Sequence, residues 1–120
     1  MKYYIIAGEA SGDLHGSNVV NEIFKLDKNP VFKGVGGDKL KSANVDILFG
    51  LARLAFMGFY EVLKNLLTIF RNFKEVKKAI LQFQPDVIIL VDYPGFNLRM
   101  AKWCKKNGFK VVYYISPTIW

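Results

Sequence analysis

Residues 5–13 read IIAGEASGD, an apolar run that passes directly into two glycines, two carboxylates and a serine. The apolar run begins at Tyr3 and does not alternate with polar residues, which is typical of a strand buried on both faces of a parallel sheet. Further strands are predicted at Val31–Val35, Asp86–Val91 (DVIILV) and Phe109–Ile115 (FKVVYYI), with a short one near 47–49.

Helical patterns separate these strands. They cover Leu14–Leu26, Gly58–Phe83 and Asn97–Lys106, and the last of them is closed by Asn107-Gly108. The alternation predicts an α/β fold with a doubly wound, Rossmann-like, mostly parallel sheet. The sequence stops at Trp120, just past the last predicted strand, so we expect the domain to be incomplete at its C-terminal side.

The composition is that of one soluble domain. The chain has 120 residues, of which 52% are hydrophobic, so it can bury a core. Its formal charge of +7 favours an anionic partner, such as nucleic acid, a phosphorylated metabolite or an acidic membrane surface. A lone cysteine, Cys104, excludes an internal disulfide and a cysteine metal cluster, and its place in a helical pattern predicts a core position. Because a strand-like run begins within two residues of the N-terminus, we expect no signal peptide, and no apolar stretch approaches the roughly 18 residues of a membrane span.

Polar groups follow three of the predicted strands. They lie in the loops Glu9–Asp13, Gly36–Asp38 and Asp92–Asn97 (DYPGFN). Ligands of open α/β sheets bind at the carboxyl ends of the strands. We therefore expect these three loops to meet in space.

The first loop is acidic and matches neither of the familiar glycine-rich phosphate motifs. Glu9 and Asp13 would repel a phosphate, but carboxylates accept hydrogen bonds from sugar hydroxyls. The loop therefore predicts a sugar ligand. Alternatively, Asp13 only N-caps a helix that starts at Leu14. His15 has no second histidine or cysteine nearby for a metal site, and we expect a surface or capping role for it.

Asp92 is the sharpest candidate because it ends an apolar strand and precedes a Tyr-Pro-Gly turn. This position places a carboxylate at the rim of the expected site. The alternative is an Asx-turn, in which the side chain binds only its own loop. For Asn97, an N-cap of the following helix is favoured over a ligand contact.

The long helical segment carries more apolar surface than one buried face needs. One face is formed by residues at steps of three and four: Phe59, Val62, Leu66, Ile69, Phe73, Val76, Ile80 and Phe83. A second row, Tyr60, Leu63, Leu67 and Phe70, gives way later to Lys74, Lys77 and Lys78. The extra row predicts either contact with an anionic bilayer or cover by a further segment of the protein.

Five segments, in order, carry a resemblance to a known family. They are AGEASGD at 7–13, FKGVGG at 32–37, MGFYEVL at 57–63, PDVIILVDYPGFN at 85–97 and YYISPTIW at 113–120. Together they resemble the N-terminal half of lipid-A-disaccharide synthases, inverting glycosyltransferases of the two-domain GT-B architecture. The chain departs from the pattern at Gly95, where many members have a second acid, and retains Asp92.

The resemblance implies transfer of 2,3-diacylglucosamine from UDP-2,3-diacylglucosamine to 2,3-diacylglucosamine 1-phosphate (lipid X), giving lipid A disaccharide 1-phosphate and UDP. It implies that Asp92 is the catalytic base, without a cofactor or metal. Residues 1–120 would form an acceptor-binding domain, inactive alone because the donor-binding domain is absent. The implied acceptor-binding residues are Glu9, Ser11, Gly12, Asp13, Gly36 and Asn97.

The resemblance also implies a cytoplasmic enzyme that is peripheral on the inner membrane. The expected contacts with the membrane and the acyl chains are Tyr60, Val62, Leu63, Leu66, Leu67 and Phe70, together with Lys64, Arg71 and Lys74.

Two other classes of function are compatible with an α/β chain of this size. A flavodoxin-like nucleotide- or flavin-binding domain would share the strand order and length, but its first loop should be rich in serine and threonine. A nucleic-acid-binding module would need basic residues interleaved with exposed aromatic residues. Here the basic residues lie on helices beside apolar ones, so no nucleic-acid partner is expected.

Overall fold

The structure is a computed structural model that describes residues 1–51 and 66–115, with side chains for 1–51 and 71–115. In these ranges the strands are β1 (Lys2–Ala7), β2 (Val31–Val35), β3 (Val45–Ile47), β4 (Val87–Val91) and β5 (Val111–Tyr114). The helices are α1 (Ala10–Leu26), α2 (Asp38–Ser42), α3 (Leu66–Phe83) and α4 (Pro94–Lys106).

The five strands form one sheet, entirely parallel, in the order β3-β2-β1-β4-β5. The central strand is β1, whose Tyr3 pairs with Phe32 of β2 on one side and with Val87 of β4 on the other. The chain thus builds outward from β1 to one edge and then returns to build the other half. This arrangement confirms the predicted doubly wound α/β fold. It differs from the flavodoxin order 2-1-3-4-5, so the flavodoxin-like alternative was wrong about the strand order.

The sheet is buried on both faces, as the apolar strands predicted. Tyr4 and Ile6 of β1 pack in a cluster with Ile80 of α3 and Met100 of α4. The intervening Ile5 belongs to a second cluster on the other face, with side chains from α1 and α2. Since each fully buried large aliphatic side chain contributes about 1.5–3 kcal/mol, the two clusters are the main source of stability.

The predicted apolar face of the long helix is confirmed over its described part. Val76 and Ile80 are fully buried, and Phe73 and Phe83 pack against the same cluster. The second apolar row lies outside the described side chains. Cys104 is also buried, as predicted, and burial raises the pKa of its thiol to about 12.

Three predicted boundaries were wrong. Helix α1 begins at Ala10 instead of Leu14, because the Asp13 N–H donates to the Glu9 carbonyl at 2.8 Å and closes a helical turn there. Helix α4 begins at Pro94 instead of Asn97, since proline fits the first helical turn, where its missing N–H costs nothing. The short strand lies at Val45–Ile47, where its register with β2 is set by the pairing of Phe32 with Val45.

Gly34 and Gly95 provide a matched pair for testing sheet packing. A Cβ at Gly34 would overlap the carbonyl oxygen of Ile5 in the neighbouring strand, whereas a Cβ at Gly95 would meet nothing within 4 Å. Gly34→Ala is therefore expected to lower the free energy of unfolding by about 2–3 kcal/mol. Gly95→Ala, in the first turn of α4, should raise it by up to about 1 kcal/mol. Urea denaturation followed by circular dichroism measures both values, and equal shifts would contradict the packing described.

Candidate active site

The candidate site lies where the order of the sheet reverses. Ala7 of β1 pairs with Val91 of β4. The residues that follow these two, Gly8 and Asp92, therefore leave the sheet side by side at its carboxyl edge. A reversal between neighbouring strands opens the crevice in which doubly wound folds bind their ligands.

Asp92 and Tyr93 adopt left-handed backbone conformations, with φ of 46° and 50°. Such conformations cost roughly 1–3 kcal/mol for a non-glycine residue and persist only where the surroundings hold them. The turn is held on two sides. The Asp92 N–H donates to the Tyr114 carbonyl at 2.9 Å, and the Asp92 carbonyl accepts from the Tyr113 hydroxyl at 2.7 Å. The half-buried Asp92 side chain is thus presented at the rim by a rigid turn.

Two tyrosines lie within electrostatic range of the acidic side chains of this rim. Burial raises the pKa of Tyr93, and the negative charge of Glu9 raises it further. The pKa of Tyr113 is raised in the same way, first by burial and then by the charge of Asp92. The Tyr93 ring lies directly over Gly8, where any Cβ would overlap it. The structure therefore brings Glu9 and Asp92 to the same edge, as the strand-end argument predicted.

Asn97 ties the ends of β1 and β4 together. Its Nδ2 group lies 3.3 Å from the carbonyl oxygen of Ile6, 3.2 Å from that of Val91 and 3.0 Å from that of Asp92. The side chain is fully buried inside the first turn of α4, whose N-cap is Tyr93. The predicted N-cap role was therefore wrong. Asn97 holds the backbone of the site, and contact with an acceptor stays a prediction.

Asp13 ties the first helix to α2. Its Oδ1 accepts hydrogen bonds from the N–H groups of Gly37 at 2.8 Å and Leu40 at 3.1 Å, and its Oδ2 accepts one from Lys39 at 3.0 Å. The side chain is 4% exposed. The alternative that Asp13 N-caps its own helix was wrong, because the carboxylate caps a different helix. Gly36 belongs to the same joint, since a Cβ there would overlap the Leu40 side chain.

The other predicted acceptor-binding residues have contrasting surroundings. Ser11 is exposed in the first turn of α1. Gly12 is buried, and a Cβ there would lie 3.6 Å from Ala7 Cβ and from Val91 Cγ1. A Cβ at Gly12 would therefore make ordinary van der Waals contact with the strand ends at the switch point, whereas Ser11 and Glu9 are exposed.

Sequence reasoning missed the roles of three aromatic residues at this edge. Tyr93 and Tyr113 are close enough to Glu9 and Asp92 for the charges of these acids to raise the pKa values of the two tyrosines, and His15 is half-buried with its ring centroid 6.0 Å from that of Tyr114. His15 therefore packs on β5, where a surface or capping role was expected. The sequence signal available for this edge was the pair Tyr113-Tyr114 at the end of a predicted strand. In the described ranges no three histidine, cysteine or acidic side chains are grouped as a metal site.

The family profile described as Lipid-A-disaccharide synthetase matches residues 3–120. The chain belongs to this family. It is 45% identical over 116 residues to the lipid-A-disaccharide synthase of Geobacter metallireducens and 47% identical over 116 residues to that of Trichlorobacter lovleyi. The synthase of Coxiella burnetii is 40% identical over the same length.

Each of these matches covers 97% of the chain but only 30–31% of the relative. The chain thus spans about a third of the length of the curated lipid-A-disaccharide synthases that it matches. The resemblance drawn from the five sequence segments is confirmed.

Asp13 and Asp38 allow the stability contribution of a buried, hydrogen-bonded carboxylate to be compared with that of an exposed one. Asp13→Asn removes the negative charge that three backbone N–H groups share, and we expect a loss of roughly 2–4 kcal/mol in the free energy of unfolding. Asp38→Asn removes an exposed charge from the first turn of α2 and should change stability little. Chemical denaturation of both variants measures the difference. An Asp13→Asn variant as stable as Asp38→Asn would show that the joint with α2 does not hold the fold.

Proposed function

We propose that this chain is the acceptor-binding, Rossmann-like domain of a two-domain GT-B glycosyltransferase of lipid A biosynthesis. The complete protein would transfer 2,3-diacylglucosamine from UDP-2,3-diacylglucosamine to 2,3-diacylglucosamine 1-phosphate and release UDP. The observation that carries the proposal is the half-buried Asp92, held on a left-handed turn at the switch point of a chain of this family. The donor site would lie mainly in the part of the relatives that this chain does not match.

In this proposal Asp92 acts as the general base. The 6-hydroxyl of the acceptor sugar attacks the anomeric carbon of the donor from the face opposite UDP. As the new carbon–oxygen bond forms, the hydroxyl proton passes to the Asp92 carboxylate and UDP departs with the electron pair of the broken bond. A positioned base of this kind contributes typically about 100- to 10,000-fold in rate. The hydrogen bonds at Asp92 N and O support this role because they fix the backbone that carries the carboxylate before the acceptor arrives.

The acceptor sugar would lie against the acidic rim. Glu9 is exposed and its carboxylate can accept hydrogen bonds from sugar hydroxyls, with Ser11 beside it. Gly12, Asp13, Gly36 and Asn97 would contribute indirectly, since their contacts shape the backbone on which Glu9 and Asp92 are held. No metal or cofactor enters this reaction scheme.

Substrates with acyl chains favour a membrane surface as the place of action, and we propose a peripheral location on the cytoplasmic face of the inner membrane. Arg71 and Lys74 are exposed on α3 and suit anionic head groups. The structure does not describe the side chains of the other predicted contacts, which are Tyr60, Val62, Leu63, Lys64, Leu66, Leu67 and Phe70. Among the described residues, no helix has both the length and the apolar character needed to cross a membrane.

A chimera tests the assignment of Asp92. The chain replaces the segment that it matches in the Geobacter metallireducens synthase, and UDP release from the diacylated donor is measured with and without the acceptor. Asp92→Asn is expected to lower kcat about 100- to 10,000-fold, because the acceptor hydroxyl loses its base. UDP affinity should be unchanged, because the proposal assigns UDP to the other domain. The 120-residue chain alone should give no turnover.

The control for this experiment is Asp86→Asn. Asp86 lies at the opposite end of the same strand, where its Oδ2 accepts a hydrogen bond from the Lys2 N–H at 2.7 Å. This variant should keep the rate of the unaltered chimera. Retention of the full rate by Asp92→Asn, or lost UDP affinity, would contradict the general-base role. A folded chimera that transfers no sugar would contradict the proposed function.

A further inference from the structure

Three polar side chains form a row across one face of the sheet. Tyr4 of β1 pairs with Lys33 of β2, and Lys33 pairs with Asp46 of β3. Paired residues of a parallel sheet lie on the same face, and neighbouring strands are about 4.7–4.9 Å apart. The face is the one that α3 covers, because Tyr4 belongs to the same cluster as Ile80. A hydroxyl, a cation and an anion therefore stand side by side on three adjacent strands.

A groove lies between this row and the last turns of α3. It is lined by all three members of the row and, on the helix, by Gln82 and Phe83. Its volume of about 390 Å³ falls within the range of about 300–1,000 Å³ that is usual for small-molecule sites. The groove is thus large enough for a small ligand.

The Tyr4 hydroxyl is an unsatisfied group in the lining of this groove. Its side chain is 1% exposed, and the hydroxyl oxygen is buried without a hydrogen-bond partner among the described residues. A buried hydroxyl without a partner lowers the stability of a fold, so such a group points to a missing partner. Burial, and then the charge of Asp46, raises the pKa of Tyr4 well above its usual range. The hydroxyl therefore keeps its proton and can donate it in a hydrogen bond.

The two charges of the row are free to meet a ligand. Lys33 and Asp46 are exposed, and neither makes a salt bridge within residues 1–51 and 66–115. The Lys33 Nζ lies 5.0 Å from the ring centroid of Phe83, whose carbonyl accepts a hydrogen bond from the Lys2 Nζ at 2.8 Å. Because Lys2 begins β1, this end of the groove lies at the amino edge of the sheet, opposite the edge that carries Asp92.

The lining distinguishes between classes of ligand. The Tyr4 hydroxyl and the Lys33 ammonium both donate hydrogen bonds, which suits a carboxylate, whereas Asp46 accepts them, which suits an ammonium. A phosphate dianion would be attracted by Lys33 but repelled by Asp46, and a ligand with one charge of each sign is attracted by both. Phe83 and Leu48 add apolar surface to the lining, and Leu48 is 46% exposed.

We propose that the groove between α3 and strands β1–β3 binds a small zwitterion, an α-amino acid with an apolar side chain. The carboxylate of the ligand accepts hydrogen bonds from Tyr4 and Lys33, and its ammonium donates to Asp46. Its apolar side chain lies against Phe83 and Leu48. Binding supplies the hydrogen bond that the Tyr4 hydroxyl lacks. The site lies away from the candidate active site and does not depend on the proposed glycosyltransferase function.

Titration of the ¹⁵N-labelled 120-residue chain with L-phenylalanine, followed by NMR, tests the class of ligand. The matched probes are 3-phenylpropionate, which lacks the ammonium, and phenethylamine, which lacks the carboxylate. We expect saturable shifts of the backbone amides of β2 and β3 with the amino acid. Each analogue should bind at least about tenfold more weakly, because it loses one charged hydrogen-bonding group. No saturable shift would show that the groove holds only water, and an analogue that binds as tightly as the amino acid would exclude a zwitterion site. Either result overturns the proposal.

Tyr4→Phe tests the unsatisfied hydroxyl while keeping the ring. It should weaken binding of L-phenylalanine about tenfold. The Tm of the unliganded variant should not fall, because the hydroxyl has no partner to lose. The control is Tyr3→Phe on the opposite face, whose hydroxyl donates to Asp27 at 2.9 Å, and this variant should keep the affinity of the unaltered chain. A lower Tm for Tyr4→Phe, or equal affinities of the two variants, would contradict the assignment of this hydroxyl to the ligand.

Asp46→Asn and Lys33→Gln separate the two charges, and both residues are exposed, so the fold should be kept. Asp46→Asn should lose the preference for L-phenylalanine over 3-phenylpropionate, and Lys33→Gln should lose the preference over phenethylamine. Retention of both preferences would show that the row does not bind the ligand. These titrations do not measure sugar transfer, so their failure leaves the proposed glycosyltransferase activity to be decided by the chimera.

Discussion

The ends of β1 and β4 depend on one buried amide. The Nδ2 group of Asn97 lies within 3.0–3.3 Å of three carbonyl oxygens, those of Ile6, Val91 and Asp92. A buried carbonyl group without a hydrogen-bond donor lowers the stability of the fold. At the ends of β1 and β4, where hydrogen bonding between the strands stops, the Asn97 amide supplies a donor. Because Asn97 lies in the first turn of α4, its side chain ties the start of that helix to the strand ends and to the strained turn, which β5 also holds.

A second polar joint works in the same way on the other side of β1. The carboxylate of Asp13, in α1, accepts hydrogen bonds from three backbone N–H groups in the loop before α2 and in its first turn. These hydrogen bonds connect α1 to the end of β2. The two acids of the first motif therefore have different fates. The Asp13 side chain is buried and holds the fold together. Glu9, four residues earlier on the rim, is exposed, and its charge raises the pKa of Tyr93. The polar joints at Asp13 and Asn97 fix the backbone near Glu9 and Asp92, which the proposed roles of these two acids require.

Positive and negative charge lie on different parts of this fold. Helices α3 and α4, which carry four basic residues each against one acid, cover one face of the sheet, and the acidic rim lies at the carboxyl edge, next to the first turn of α4. An anionic partner is attracted to the helices and repelled from the rim, so this charge distribution can orient its approach. The stack of Phe73 on Phe96 connects the two regions mechanically.

The sequence alone determined the fold class, the strands and the importance of their carboxyl ends, because apolar runs and helical periodicity are local signals. It also determined the family, through five ordered segments. Only the tertiary structure decided that Asp13 and Asn97 hold the backbone, that α1 and α4 start earlier than their patterns indicate, and that Tyr93, Tyr113 and His15 line the site edge. Those roles depend on partners distant in the chain: Asp13 binds an N–H group 27 residues away and Asn97 a carbonyl 91 residues away. Local patterns indicate which loops meet at the sheet edge, but they do not specify the individual hydrogen-bond partners that set the roles of polar side chains.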